Sequence, residues 1–289
     1  MLAGWSRTGR RPRFDVVTGV STGALQATAA FLGSDQDPLL RQVYTGTRTR
    51  DVMKSNGPLA AVFGPGIYRL TPLRERLREL IDEPMLDRVA EEHRAGRRLY
   101  IGTTDLTRGR VVTWDMGAIA ADRSPDRRER YISVLLASSS VPGVIEPVVV
   151  LDGRGASELH GDGATKAPLL FEPRMLEPRC PGPANVWAIA NGHVSSEGAT
   201  VVSPKRTLAV ARRGVSQLMR RFLYTVTIAT AYRVREAGGR FRLLALPEEI
   251  PEARDPFEFV PSEMGELYDQ GLRRGQDPGA WAQVPAGSG

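Results

Sequence analysis

Apolar positions along the chain switch between a period of two and a period near 3.6, and the switches outline alternating strands and helices. The β-branched run at 16–18 ends in Gly19-Val20-Ser21-Thr22-Gly23 and passes directly into a small, helix-favouring stretch at 24–32. Strand, sharp turn and helix are therefore predicted in that order. A short helix is expected at 38–44, followed by a Gly/Pro-punctuated loop at 56–68. The apolar residues of that loop, Leu59, Val62, Phe63, Ile67 and Tyr68, are expected to anchor it to the core, with an acyl-pocket lining as the alternative. Thr71 as cap and Pro72 at the first position open a helix to Ile81, its buried stripe being Leu73, Leu77, Leu80 and Ile81. A second helix follows at 84–94 and carries His93, expected to be solvated among its charged neighbours.

Residues 98–106 predict a central strand with a hairpin partner at 110–114. The helix at 127–139 is closed by the small residues Ser138, Ser139 and Ser140 and then by Pro142 and Gly143, which permit close packing against a neighbouring backbone. A strand at 148–151 turns back through 158–160 towards Gly161-Asp162-Gly163-Ala164. Beyond it come a buried strand at 185–190, a long helix at 205–236 and a strand at 240–246. A helix at 262–273 is the last element. Val215, Met219, Phe222, Val226 and Ala229 are the expected buried stripe of the long helix. One domain over 1–275 and a polar tail over 276–289 are expected.

Composition narrows the classes. With 41% hydrophobic and 25% charged residues the chain reads as globular, and no run of apolar residues is long enough to span a bilayer. Its single cysteine, Cys180, rules out an internal disulfide framework and a cysteine-rich metal site. The net charge of +6 comes from 36 arginines and three lysines scattered along the sequence, with no zinc-finger spacing, aromatic RNA-binding signature or dense basic tract, so nucleic acid is not an expected partner. Attraction to an anionic membrane surface is the milder expectation; the arginines flanking the long helix read first as a solvated face, with a lipid surface as the alternative. The first thirteen residues lack the apolar core of a signal peptide, so the chain as given reads as cytoplasmic, or as envelope-associated or secreted if a signal lies upstream. Oligomeric state is not legible.

Chemistry enters at the glycine-flanked serine. In a strand–turn–helix a G-x-S-x-G pentapeptide forces the serine into a strained conformation, with glycines at Gly19 and Gly23 keeping neighbouring Cβ atoms apart, and lifts its Oγ above a helix N-terminus. Ser21 is the candidate nucleophile. Asp162, between two glycines, reads either as turn chemistry or as the base that removes the Ser21 proton. Asp105, at a predicted strand end, carries the same two readings. His160 and His193 keep a Ser-His-Asp arrangement open.

The elbow Gly19-Val20-Ser21-Thr22-Gly23, the segment ASSSVPGVIEPV at 137–148, the motif Asp162-Gly163-Ala164 and the ending FVPSEMGELYDQGLRRG at 259–275 together resemble the bacterial patatin-like phospholipases. The resemblance implies a three-layer α/β/α fold with a central, mainly parallel sheet. It also implies fatty-acyl ester hydrolysis by a serine–aspartate dyad, Ser21 as nucleophile and Asp162 as base, with a lipid or acyl-ester substrate and no metal or organic cofactor. The family's glycine-rich oxyanion loop lies upstream of the elbow. Residues 1–15 resemble only the helix end and linker that follow that loop, so a first strand and the loop are expected ahead of residue 1. The Thr22 backbone is then the remaining candidate oxyanion donor. A catalytically impaired lipid-binding remnant is the non-enzymatic alternative.

Overall fold

The stretch read as a central strand is covered on both faces. Leu99, Ile101, Thr103, Thr104 and Asp105 are all buried, as a strand in the middle of a layered α/β protein must be. A computed structural model describes residues 1–151, 155–176, 182–194, 207–247, 249–250 and 257–282. Cys180 lies outside these, as do the side chains of residues 61–62 and 207–213, including that of Val62. The chain opens with α1 (Leu2–Arg7), β1 (Val16–Gly19), α2 (Thr22–Leu32), α3 (Asp37–Gly46), α4 (Thr71–Leu80) and α5 (Glu83–Arg94). It continues with β2 (Arg98–Asp105), β3 (Arg110–Asp115), α6 (Met116–Ala121), α7 (Arg127–Ser138), β4 (Val148–Leu151) and β5 (Ser157–Asp162). The last part holds β6 (Asn185–Ile189), α8 (Thr207–Glu236), β7 (Arg240–Leu244) and α9 (Pro261–Gln276).

β2 is the spine of the main sheet because three strands pair with it. β3 takes one edge, from Tyr100 opposite Asp115 to Asp105 opposite Arg110. The other edge is shared. β1 runs parallel along its first half, Gly19 opposite Ile101, and β5 runs antiparallel along its second half, Asp162 opposite Thr103. The two strands therefore point at one another and end on either side of Gly102. β4 closes the outer side of β5. Directions follow the connections: β1 and β2 are parallel across intervening helices, whereas β2–β3 returns through a short turn and is antiparallel; β4 and β5 are antiparallel as well.

Helices cover this mixed sheet in the expected three-layer α/β/α manner. A large core gathers Phe31 of α2, Leu73 and Leu77 of α4, Leu86 and Val89 of α5, Met116 of α6 and Tyr131 to Leu136 of α7 against Leu99 and Ile101. A smaller core joins α8 to the parallel pair β6–β7 through Ala188, Ala231, Val234, Phe241 and Leu243. Among the described residues β1 pairs only with β2, and β6 only with β7. The second edges of both line a cavity of about 530 Å³.

Several local expectations change. On α8 Val215 is 60% and Met219 37% exposed, and the buried positions are instead Thr227, Thr230, Ala231 and Val234, a stripe shifted round the helix to meet β7. In the loop at 56–68 Leu59 and Phe63 are exposed rather than anchoring, and the short helix Ala60–Phe63 carries them out. Thr71 is the first helical residue of α4 and makes no capping hydrogen bond; Asp82, capping α5 through the Met85 N–H, does. Residues 277–282 pack, with the Trp281 ring 4.5 Å from that of Trp5 and Ala282 bridged to Leu243. Among the described residues no helix is long and apolar enough to cross a membrane.

Candidate active site

The elbow forms as its spacing requires. Ser21 has φ +54°, the sole positive φ of a non-glycine residue among those described. Gly23 N–H donates to the Val20 C=O at 2.8 Å and Ala24 N–H to the Ser21 C=O at 2.9 Å, which turns the chain from β1 into α2. The two glycines are not equivalent. A Cβ on Gly19 would lie 2.7 Å from the Gly23 carbonyl oxygen and 2.9 Å from Ala27 Cβ, whereas one on Gly23 would meet nothing within 4 Å. The strand side of the turn is the crowded side.

Asp162 arrives from the opposite direction at the end of β5. Ser21 Oγ donates to Asp162 Oδ2 at 2.6 Å, joining residues 141 positions apart in sequence. Asp162 Oδ1 accepts the Ala164 N–H at 2.8 Å. One carboxylate oxygen takes part in the turn and the other accepts the Ser21 hydroxyl, the contact that the base reading requires. Burial pushes the Asp162 carboxyl up to about 6, against the lowering effect of its hydrogen bonds from Ser21 and the Ala164 N–H. No basic side chain contributes to that balance.

Glycines let the two strand ends come this close. A Cβ on Gly163 would sit 2.3 Å from the Gly102 carbonyl oxygen and 2.9 Å from Val20 Cγ1. One on Gly102 would meet Val20 Cγ1 at 2.8 Å. Gly102 escapes sequence reasoning because it sits inside a strand-like run. The signal is a glycine interrupting otherwise apolar and β-branched residues, which marks close backbone approach. Ser138, the last residue of α7, is fully buried and accepts the Ser21 N–H at 3.0 Å.

The other titratable candidates are occupied elsewhere. Asp105 Oδ1 accepts the Thr107 and Arg108 N–H groups, each at 3.0 Å, and Oδ2 pairs with Arg108 and Arg110. Turn formation accounts for it. His160 is buried, its Nδ1 2.9 Å from Thr103 Oγ1, which itself accepts the Trp114 indole N–H. Burial lowers the His160 pKa against the pull of Glu158 and Asp105, so the ring is neutral at physiological pH. His193 Nδ1 lies 2.6 Å from an Arg220 nitrogen. His93 is half-buried rather than solvated, packed against Gly117 and 3.4 Å from Asp115.

The Thr22 N–H, first in α2, has no hydrogen-bond acceptor among the described residues and stands at the positive end of that helix dipole. Among the described residues no group of three or more His, Cys, Asp or Glu side chains could hold a metal ion.

A comparison with curated proteins returns no match. The model of the patatin-like phospholipase family matches residues 1–174, more than half of the chain, and that stretch contains both Ser21 and Asp162. The chain belongs to the patatin-like phospholipases, a family of lipid hydrolases.

Proposed function

We propose that this protein hydrolyses carboxylic ester bonds of lipids through an acyl-enzyme on Ser21, with Asp162 as general base. The observation that carries this reading is the 2.6 Å hydrogen bond from Ser21 Oγ to Asp162 Oδ2 at a strained strand-to-helix turn. In the first step Asp162 Oδ2 takes the hydroxyl proton as Oγ attacks the ester carbonyl. The tetrahedral intermediate collapses, and the departing alcohol receives that proton from Asp162. In the second step water gives a proton to the same carboxylate as it attacks the acyl carbonyl; the intermediate collapses, Ser21 Oγ takes that proton back from Asp162, and the fatty acid is released.

A free aspartate is a weak base at neutral pH. Raised to about 6, Asp162 is better matched to an operating pH near 7 and is still ionised there. The unengaged Thr22 N–H and the α2 N-terminus offer stabilisation to the developing oxyanion. On α8, exposed Val215, Leu218 and Met219 lie next to Arg220 and Arg221, which supports peripheral contact with an anionic lipid surface.

Fluorophosphonate labelling and p-nitrophenyl butyrate hydrolysis test the assignment. Ser21→Ala abolishes labelling, and Ser21→Ala and Asp162→Asn each lower turnover by about 1000-fold or more. Labelling that survives Ser21→Ala excludes Ser21 as the nucleophile.

A further inference from the structure

We propose that the three serines closing α7 act as one clamp that sets the Ser21–Asp162 separation, and that Ser138 is its positioning residue. The proposal rests on the roles given to Ser21 and Asp162 above. Those residues end two strands that pair with β2 but not with each other. What ties the strand ends together is the end of α7.

Ser138 Oγ accepts the Ser21 N–H at 3.0 Å and donates to the Gly102 C=O at 2.7 Å. Ser139 Oγ lies 3.3 Å from the Ser21 carbonyl oxygen. The Ser140 C=O accepts the Asp162 N–H at 2.8 Å. The backbones of nucleophile and base are thus both hung from three consecutive residues of one buried helix end. Ser138 and Ser140 are fully buried, so water does not substitute for these bonds.

Ser138 is the member that acts through its side chain. Its one hydroxyl proton is committed to the Gly102 carbonyl, which turns a lone pair to the Ser21 amide. A residue at φ +54° persists only where its surroundings over-determine it, and this bond is one of the determinants. It also engages the Ser21 N–H, whereas the Thr22 N–H faces no protein acceptor among the described residues.

The test compares Ser138→Ala and Ser138→Thr in the full chain, with Ser21→Ala alongside and p-nitrophenyl butyrate as substrate. Ser138→Ala removes the hydroxyl from a buried site, and Ser138→Thr keeps it while adding a methyl group. The clamp predicts that alanine lowers kcat by about 10- to 100-fold with KM within about twofold, because the reacting oxygen is misplaced and the substrate surface is untouched. It predicts that the acid limb of kcat/KM moves to higher pH, since Asp162 loses the Ser21 hydrogen bond that opposes its desolvation. Threonine restores kcat and the acid limb most of the way to wild type.

A purely packing role predicts the reverse order, alanine tolerated and threonine harmful. Wild-type kcat and acid limb in the alanine variant overturn the clamp, as does a folded threonine variant no better than alanine. If threonine does not fold, the acid limb of the alanine variant decides alone. Ser21→Ala separates the two levels: hydrolysis retained there sinks the nucleophile assignment itself, whereas hydrolysis lost there with Ser138→Ala at wild-type rate sinks only the clamp.

Discussion

Over the window in which Asp162 titrates, its carboxyl contributes stability that grows on acidification, a direction opposite to that of most carboxylates and to that of the buried His160. In the unfolded chain the carboxyl ionises near 3.8, and in the folded protein burial holds it at about 6. Between those values the native state binds more protons than the unfolded state, so stability falls as pH rises. A difference of about two units corresponds to roughly 3 kcal/mol, absent below about pH 4 and fully felt above about pH 6. Asp162 is 3% exposed, so solvent screening does not reduce that figure much. Urea unfolding of wild type and Asp162→Asn between about pH 4 and pH 7 measures it. The variant gains on wild type by about 3 kcal/mol as pH rises through the window, whatever its offset from the lost hydrogen bonds. Parallel curves, agreeing within about 0.5 kcal/mol, refute the buried, unpaired carboxylate. In the proposed mechanism the same group sets the acid limb of kcat/KM near pH 6, because only the carboxylate would accept the Ser21 proton.

Gly163→Ala places a Cβ 2.3 Å from the Gly102 carbonyl oxygen, and thermal unfolding should show a loss of about 1–3 kcal/mol with turnover down about 100-fold as Asp162 is pushed from Ser21. Gly19→Ala lowers the melting temperature while Gly23→Ala does not, since only the first has atoms within 4 Å of its Cβ. Replacing His93, His160 and His193 one at a time leaves ester hydrolysis within about tenfold of wild type. His160→Ala costs about 1–3 kcal/mol of stability by denaturant titration, because it leaves the Thr103 hydroxyl proton without its acceptor in a buried site. Phe63→Ser leaves stability within about 0.5 kcal/mol, as its 82% exposure requires, and weakens sedimentation with anionic vesicles if that loop meets the lipid surface.

Legibility followed the range of the interactions involved. The elbow is a local object: period-two residues, five residues with two glycines and a small-residue helix lie within seventeen positions of one another, and each constrains the next. Asp162 is visible as a residue but not as a partner, because a glycine-flanked aspartate serves a turn as readily as a nucleophile, and here its two oxygens accept from the Ser21 hydroxyl and from the Ala164 N–H of the turn. Ser138 was visible only as a small residue at a helix end. Its hydrogen bond to Ser21 spans 117 positions, and nothing in a run of three serines announces a bond of that range. The buried face of α8 departs from its apolar periodicity for a related reason. Several faces of that helix carry apolar residues, and which one is buried depends on where β7 lies rather than on periodicity.

The sheet topology explains why this site needs its glycines. A nucleophile and a base at the ends of adjacent parallel strands are a strand spacing apart, about 4.8 Å, and a side chain must bridge the difference. Here β1 and β5 share one edge of β2 and run head to head, so the approach of their ends is limited by backbone contact across Gly102. Gly163 meets the Gly102 carbonyl where a Cβ would overlap it, and Val20 Cγ1 fills the space beside both. The absence of a Cβ at those two positions is what lets a serine and an aspartate, two of the shorter polar side chains, reach each other directly. A longer base at the end of β5 would overshoot Ser21, and a Cβ at Gly163 would hold even the aspartate out of reach.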